Sequence, residues 1–383
     1  MYGTKLTPKE VARGLVDIAR EETDAPIAAC ATTVNLIILR LMKSITKIEE
    51  LRSINRAFQA ETLLDWPDSY DSRRLDAIIA NLEINIEDKE KQSWTLQDDE
   101  EDLIEMLAHF KSLLVKADHR VLLKKLDDCE FVAKLVVLYK VEQRSSVQNA
   151  VAKSLAAACQ LSEKITGFLM SGDLPGLLAT SNSFKFPLSK LENSCLRLLQ
   201  ILFSTAKVPP ASNLQYITSD FLKKMLDLVG IQDLNALKFL INYNYQFDEV
   251  NNPVLDILRA NESLAFGHLL ISFYNRNHND EEMCTLKLLY DIYITPKDDL
   301  VSKTFYANDL SVLLDVFSQV ILDTTVPRKI TMILEIFEKM LKRDSPPKEP
   351  IYYALKSFIN SGSLEESILM KARVLLPPEA HNT

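Results

Sequence analysis

Apolar residues recur along almost the whole chain at the three- and four-residue spacing of helices that bury one face. Near the N-terminus, Thr7-Pro8-Lys9-Glu10 forms a capping box with proline at the first helical position, which predicts a helix from Pro8 to about Arg20. No stretch alternates apolar and polar residues for long enough to predict a strand. The chain is therefore expected to be all-α. Six further helices are predicted before the central break: 26–42, 48–64, 75–86, 99–115, 119–144 and 147–171.

The second half of the chain carries a repeated helical pattern. Ten more helices are predicted between Leu188 and Leu375, and prolines lie at or near many of the joints. Three segments share a Leu-basic-apolar-Leu core, and their starts are 41 (237 − 196) and 49 (286 − 237) residues apart: 196–203, 237–244 and 286–293. This period predicts an armadillo- or HEAT-like helical solenoid. The alternative is that any leucine-rich helix yields such octapeptides.

Composition and charge narrow the class of protein. Only 8 of the 383 residues are glycine, which disfavours nucleotide-cradling loops and doubly wound sheets. The net charge is −9, and ten acids and two lysines within 83–105 account for −8 of it. Since the rest is nearly neutral, nucleic-acid binding is not expected. The predicted organisation is an N-terminal helical segment over 1–82, an acidic linker and helix start over 83–105, and the helical array over 106–383.

The cysteines and the apolar runs indicate the compartment. Five cysteines lie far apart within apolar helical patterns, as expected for reduced, buried thiols in a cytoplasmic protein. The N-terminal residues show no apolar segment typical of a secretory signal. Charges such as Arg40 and Lys134 break the most apolar runs, so no membrane insertion is expected.

Candidate catalytic and metal-binding patterns are incomplete. Asp98-Asp99-Glu100-Glu101-Asp102 contains the DDxxD pattern that holds magnesium in all-α prenyl-diphosphate and terpene synthases. The matching second set begins at Asp298-Asp299-Leu300-Val301-Ser302 but has Tyr306, a poor magnesium ligand, at its closing position. Gly167-x4-Gly172 has P-loop spacing without the required Lys and Ser/Thr, and is interpreted as a helix end. We therefore expect no enzyme activity, no cofactor and no metal.

Several blocks in the C-terminal half together resemble the leucine-rich C-terminal domain of the WISH/DIP/SPIN family. They occur in order within 221–341: Leu237-Lys-Phe-Leu-Ile-Asn-Tyr-Asn-Tyr-Gln-Phe247, Asn252-Pro-Val-Leu255, Phe266-Gly-His-Leu-Leu270 with Asn275-Arg276, Leu286-Lys-Leu-Leu-Tyr-Asp-Ile-Tyr293 and Phe305-Tyr-Ala-Asn-Asp-Leu310. The chain looks like the compact fungal Dip type, without the SH3 domain and proline-rich segment of larger animal members. No family motif is recognised in the first 200 residues.

The resemblance implies an armadillo-like, non-enzymatic activator of the actin-related protein 2/3 complex. Such a protein stabilises the active conformation of the complex and nucleates linear filaments without a preformed filament, at endocytic cortical actin patches. It is expected to be a cytoplasmic monomer. The alternative is a generic armadillo-type adaptor that binds an extended peptide.

Candidate partner contacts are the polar and aromatic members of the matching blocks. They are Arg276, Lys287, Tyr290, Asp291, Lys303, Tyr306, Asn308 and Asp309. Tyrosines are common in interface hot spots. The alternative is that Tyr290 and Tyr306 belong to the core, and that Asn308 and Asp309 cap a helix starting at Leu310, which is the favoured interpretation for those two.

Overall fold

The computed structural model describes residues 6–44, 49–59, 64, 68–90, 100–205, 209–248, 250–276, 282–295, 300–343, 347–361 and 366–377. Within these ranges the chain is helical and contains no strand, which confirms the all-α prediction. The helices of the first half are α1 Pro8–Thr23, α2 Ile27–Ser44, α3 Glu49–Ala57, α4 Tyr70–Glu90, α5 Glu100–Lys116, α6 His119–Leu126, α7 Glu130–Val141, α8 Ser145–Cys159, α9 Glu163–Ser171, α10 Leu174–Thr180 and α11 Lys190–Phe203. Those of the second half are α12 Ala211–Leu214, α13 Ser219–Gly230, α14 Leu234–Asn244, α15 Pro253–Ala260, α16 Leu264–Arg276, α17 Glu282–Ile294, α18 Leu300–Thr304, α19 Ala307–Asp323, α20 Pro327–Leu341, α21 Glu349–Ser361 and α22 Glu366–Val374.

The chain forms two compact units. Unit 1 comprises Met1–Leu177 and Ser189–Leu202, and unit 2 comprises Leu178–Leu188 and Phe203–Thr383. The predicted domain boundaries at 82/83 and 105/106 remain predictions. Residues 83–90 of the expected acidic linker lie within α4, whereas 91–99 fall outside the described residues.

Helix ends in unit 1 follow the local sequence signals. The Thr7 side chain accepts from the Glu10 backbone N–H, and the Glu10 carboxylate accepts from the Thr7 backbone N–H at 2.7 Å. This confirms the predicted capping box at the start of α1. Gly172 is the C-cap of α9, so the P-loop-like spacing does mark a helix end, as predicted.

A buried ion pair joins α1 to α4 in unit 1. The Arg20 guanidinium lies 3.1 Å from the Asp71 carboxylate, and both side chains are fully buried. Arg20 also donates to Asp24 at 2.8 Å, and Lys116 of α5 reaches the other Asp24 oxygen at 2.5 Å. These bonds, the one from Lys116 first, lower the pKa of Asp24 to about 2.

The lowered pKa makes the stability of unit 1 depend on acid pH. A carboxyl group with a folded pKa below its unfolded value of 3.8 stabilises the fold above that value, and this contribution disappears as the pH falls towards 2. Asp24→Asn should therefore lower the melting temperature at pH 6 and flatten its dependence on pH between about 4 and 2. Thermal unfolding from pH 2 to 6 measures both effects. An unchanged slope in the variant would contradict the assignment.

Helix α2 differs from the expectation about apolar runs. Its 18 residues have a mean hydropathy of 1.4 and include few charges, so it is long and apolar enough to cross a membrane by length and composition alone. Arg40 was expected to break this apolar run, but Arg40 and Lys43 together do not offset the surrounding leucines and isoleucines. Core helices and signal sequences pass the same test, so the absence of membrane insertion remains a prediction.

Helices of unit 2 contact one another in a recurring order. One series of contacts runs from α13 to α16, α19 and α21, and a second runs from α14 to α17, α20 and α22. The shorter helices α15 and α18 also contact each other. From α13 to α20, each helix of the two series therefore meets its counterpart three positions later along the chain, and the last contact of each series spans two positions.

Aromatic and sulfur side chains fill much of the interior. In unit 2, Phe203 and Phe221 pack edge-to-face on Phe239, and Phe239 stacks on Tyr243 at 5.5 Å. Burial raises the pKa of the Tyr243 hydroxyl. All five cysteines are free thiols; Cys30, Cys129, Cys159 and Cys195 are buried, and Cys284 is half-buried. The prediction of free thiols is therefore confirmed for all five cysteines, and the prediction that they are buried is confirmed for all but Cys284.

Candidate functional site

A buried polar network holds α14, α15 and α17 of unit 2 together. Asn252 donates its side-chain amide to Asn244 Oδ1 at 2.8 Å, and Asn244 donates to Asp291 Oδ2 at 2.8 Å. The Lys287 ammonium donates to the same Asp291 oxygen at 2.5 Å. Asn252 also caps α15 through the backbone N–H of Val254. The network fixes the position of α17 against its neighbours.

This network changes the interpretation of two predicted contact residues. The Asp291 side chain is 1% exposed and that of Lys287 is 13% exposed. Asp291 therefore cannot meet a partner directly, contrary to its selection as a contact residue, because its carboxylate is needed by Asn244 and Lys287. The two residues position α17 instead.

Tyr290 precedes Asp291 on α17, and its side chain is half-buried. Its hydroxyl donates to Glu335 of α20 at 2.7 Å. The same carboxylate lies 3.6 Å from Lys371 of α22. The phenol thus links α17 to α20, and part of its ring stays accessible.

The segment around α18 packs tightly on α16. The backbone N–H of Ser263 donates to the Lys303 carbonyl at 3.1 Å, and the Lys303 ammonium donates to the Arg259 carbonyl at 3.1 Å. Gly267 of α16 lies against Thr304, and a Cβ atom at Gly267 would be only 1.8 Å from the Thr304 carbonyl oxygen. Only glycine permits this close approach of the two backbones.

The start of α19 differs from the predicted one. The helix begins at Ala307 with Tyr306 as its N-cap, so Asn308 and Asp309 lie inside the first turn. The expectation that these two residues cap a helix starting at Leu310 was therefore wrong. Asp309 is buried and contacts His268 Nδ1 of α16 at 3.1 Å, which explains why its carboxylate faces inward.

Three predicted contact residues come together at one exposed surface. Lys303, Tyr306 and Asn308 are exposed; Lys303 bonds Arg259, and Asp309, which follows Asn308, contacts His268. We call these five residues the α18–α19 corner. His268 and Arg259 were not predicted as site residues, although His268 lies in one of the family-like blocks. The position of His268 becomes clear only from its contact with Asp309, 41 residues later.

Arg276 lies elsewhere on the same unit. It is exposed at the last residue of α16, whereas the corner contacts the first turn of that helix. Twelve residues of helix separate the two ends by about 18 Å. The structure thus does not gather all the predicted contact residues in one place.

A groove of about 870 Å³ runs between α20 and α22. Leu334 and Glu335 line one side and Met370 and Val374 the other, with Tyr352 of α21 nearby. Apolar residues flanked by charged ones form a surface of the kind that binds short peptide segments.

The enzyme-like patterns gain no support from the described residues. Asp98, Asp99, Asp298 and Asp299 lie outside them, as does His278. Among the residues that the structure does describe, no group of three or more His, Cys, Asp or Glu side chains could hold a metal ion. Tyr306, at the position where a synthase has a metal ligand, is 50% exposed at the corner.

One comparison with known protein families covers this part of the chain. Residues 211–354 match the model of the SPIN90/Ldb17 leucine-rich domain. The match extends from α12 into α21 and contains the polar network and the α18–α19 corner. The family-like region predicted at 221–341 lies inside it, and the match confirms the family resemblance.

Proposed function

Because residues 211–354 match the SPIN90/Ldb17 leucine-rich domain, we propose that the chain acts as members of the WISH/DIP/SPIN family do: it activates the actin-related protein 2/3 complex and nucleates linear actin filaments without a preformed filament. The family domain is consistent with an actin-regulatory role and with a protein partner. The match over 211–354 is the observation that carries the proposal. We further propose that the protein acts as a cytoplasmic monomer at the cortical actin cytoskeleton, and without catalytic chemistry.

The helix contacts of unit 2 support an activator that presents a preformed surface. The recurring order of contacts, in which α13, α16 and α19 follow one another, fits an armadillo-like solenoid. An activator shifts its target only by the difference between its affinities for the active and inactive conformations. A rigid surface loses little conformational entropy on binding, and it contacts fully only the target conformation whose shape matches it.

The proposed contact surface is the α18–α19 corner. Tyr306 offers a large, half-exposed aromatic ring, and Lys303 and His268 provide hydrogen-bond donors beside it. Tyrosine is among the residues that most often supply the binding free energy at protein interfaces. Tyr290 and Arg276 are proposed as further contacts, since both keep accessible atoms.

An actin assembly assay tests the activity. The purified chain should shorten the lag of polymerisation when the actin-related protein 2/3 complex is present, without seed filaments and without a WASP-type activator. It should have no effect when the complex is left out. An unchanged lag at micromolar concentrations of the chain would refute the proposal.

Variants of the corner test its contact surface. Tyr306→Ala should raise the concentration needed for half-maximal activation about tenfold, which corresponds to ~1.4 kcal/mol of binding free energy. The matched control is Tyr353→Ala, because Tyr353 of α21 is 75% exposed and lies outside the corner. Its activation should equal that of the wild type. Equal effects of the two substitutions would exclude the corner as the specific contact.

The groove between α20 and α22 supports the alternative function, an adaptor that binds an extended peptide. If the chain binds an extended peptide there, Met370→Glu should abolish partner binding while Tyr306→Ala leaves it intact. Met370 is 58% exposed on the groove wall, so this substitution is tolerated by the fold. A pull-down of the actin-related complex with both variants separates the two surfaces.

A further inference from the structure

A second pocket lies in unit 1, outside the residues that match the family domain. It has a volume of about 670 Å³ and is formed by α5, α8 and the start of α11. Leu107, Ala108 and Ala150 form part of its apolar floor. Three lysines, Lys111, Lys153 and Lys190, line it, one from each helix.

These lysines differ from many others in the chain by their lack of acidic partners. Lys116, Lys125, Lys134 and Lys164 of unit 1 each pair with a carboxylate. Within the described residues, none of the three pocket lysines forms a salt bridge. With the Asn149 amide oriented so that both its ends are satisfied, its oxygen accepts from Lys153 Nζ at 3.2 Å. That bond holds one ammonium group at the pocket.

The N-terminus of α8 adds uncharged donors to the same pocket. Its N-cap residue, Arg144, makes no side-chain capping bond, and the Arg144 backbone N–H donates to the Glu142 carboxylate at 2.9 Å. The Arg144 guanidinium is also bonded to Glu142. Ser145 and Ser146, the first two residues of α8, line the pocket. Uncapped N–H groups at a helix start favour an anion.

Two carboxylates near the pocket are already engaged. Glu192 accepts from the Ser189 backbone N–H at 2.9 Å and so completes a capping box on α11. Glu100 accepts from the Ser146 hydroxyl at the edge of the pocket. The three ammonium groups thus remain available to a ligand.

We propose that this pocket binds a ligand that carries two or more phosphate groups. Ammonium groups, hydroxyls and the N–H groups of a helix start form the usual donor set for phosphate. The three lysines of the lining suit phosphate, which lysine binds as a point charge. The apolar floor accommodates the non-phosphate part of the ligand. The site lies in unit 1 and does not depend on the activity proposed for residues 211–354.

Titration calorimetry on the full chain tests the proposal with inositol hexakisphosphate as the soluble probe. Binding should be lost in stages, because each of Lys111→Gln, Lys153→Gln and Lys190→Gln removes one charged donor and weakens it about tenfold. Lys140→Gln is the matched control, since Lys140 is an exposed lysine of unit 1 that does not line the pocket. It should bind as the wild type does. Glu100→Gln should strengthen binding about threefold by removing a nearby negative charge.

Vesicles distinguish a lipid headgroup from a free phosphate ligand. Co-sedimentation with phosphatidylcholine vesicles containing phosphatidylinositol 4,5-bisphosphate, but not with vesicles containing phosphatidylserine, would identify a headgroup as the source. Binding of inositol hexakisphosphate alone would identify a soluble ligand. Either result supports the proposed site if the three lysine variants lose that binding. The proposal is overturned if neither probe binds, if the three lysine variants bind as well as Lys140→Gln, or if polyglutamate binds as tightly as the phosphate.

Discussion

Replacing Gly267 with alanine is expected to destabilise unit 2 by about 3 kcal/mol. The added Cβ would lie 1.8 Å from the Thr304 carbonyl oxygen and 2.8 Å from the Phe305 ring. A backbone oxygen cannot rotate away as a flexible side chain can, so α16 must move from the α18 segment. That movement also displaces Lys303 and Tyr306, and we expect the variant to lose activation as well as stability.

The effect is measured by urea unfolding of the full chain, as the change in free energy of the transition in which unit 2 unfolds. Gly230→Ala is the matched control, because Gly230 belongs to the same unit and a Cβ atom there has nothing within 4 Å. Gly14, in the middle of α1, has equally open surroundings, and Gly14→Ala should stabilise the chain by ~0.5–1 kcal/mol through helix propensity. A Gly267→Ala variant as stable as Gly230→Ala would show that the two backbones do not need this close contact.

Local signals in the sequence predicted much of the fold. The Thr7–Glu10 capping box, the helix end at Gly172 and the absence of strands all depend on residues within a few positions of one another. Helical periodicity is a property of the same short range. The order in which helices of unit 2 contact one another requires distant residues, and the sequence indicated it only through the spacing of similar segments.

The candidate site was less predictable, because distant partners decide the orientation of its polar side chains. Asp309 looks like a helix cap when only its neighbours are considered, but His268, 41 residues away, turns it inward. Asp291 looks like an exposed acid four positions after Lys287, but Asn244 binds it in the interior. Tyr306 was identified as a candidate and is exposed, since it begins α19 at the surface.

Removing the Asp291 carboxylate is expected to cost about 3–5 kcal/mol of unfolding free energy. Asp291→Ala leaves the Lys287 ammonium in a mostly buried position without its counter-charge, and leaves the Asn244 amide without its acceptor. Asp291→Asn should cost less, because its amide oxygen can still accept from Asn244. Urea unfolding of both variants measures the difference.

A second lysine–acid pair in unit 2 provides the control for burial. Lys342 and Glu338 have the same spacing of four residues and the same N–O distance of 2.5 Å as Lys287 and Asp291, but their side chains are 65% and 45% exposed. Solvent screening and side-chain entropy leave such exposed pairs about 0.3–0.5 kcal/mol. Glu338→Ala should therefore change stability far less than Asp291→Ala. Equal losses would mean that the Asp291 pair acts as a surface pair, and that the polar network does not hold α17 in place beneath Tyr290.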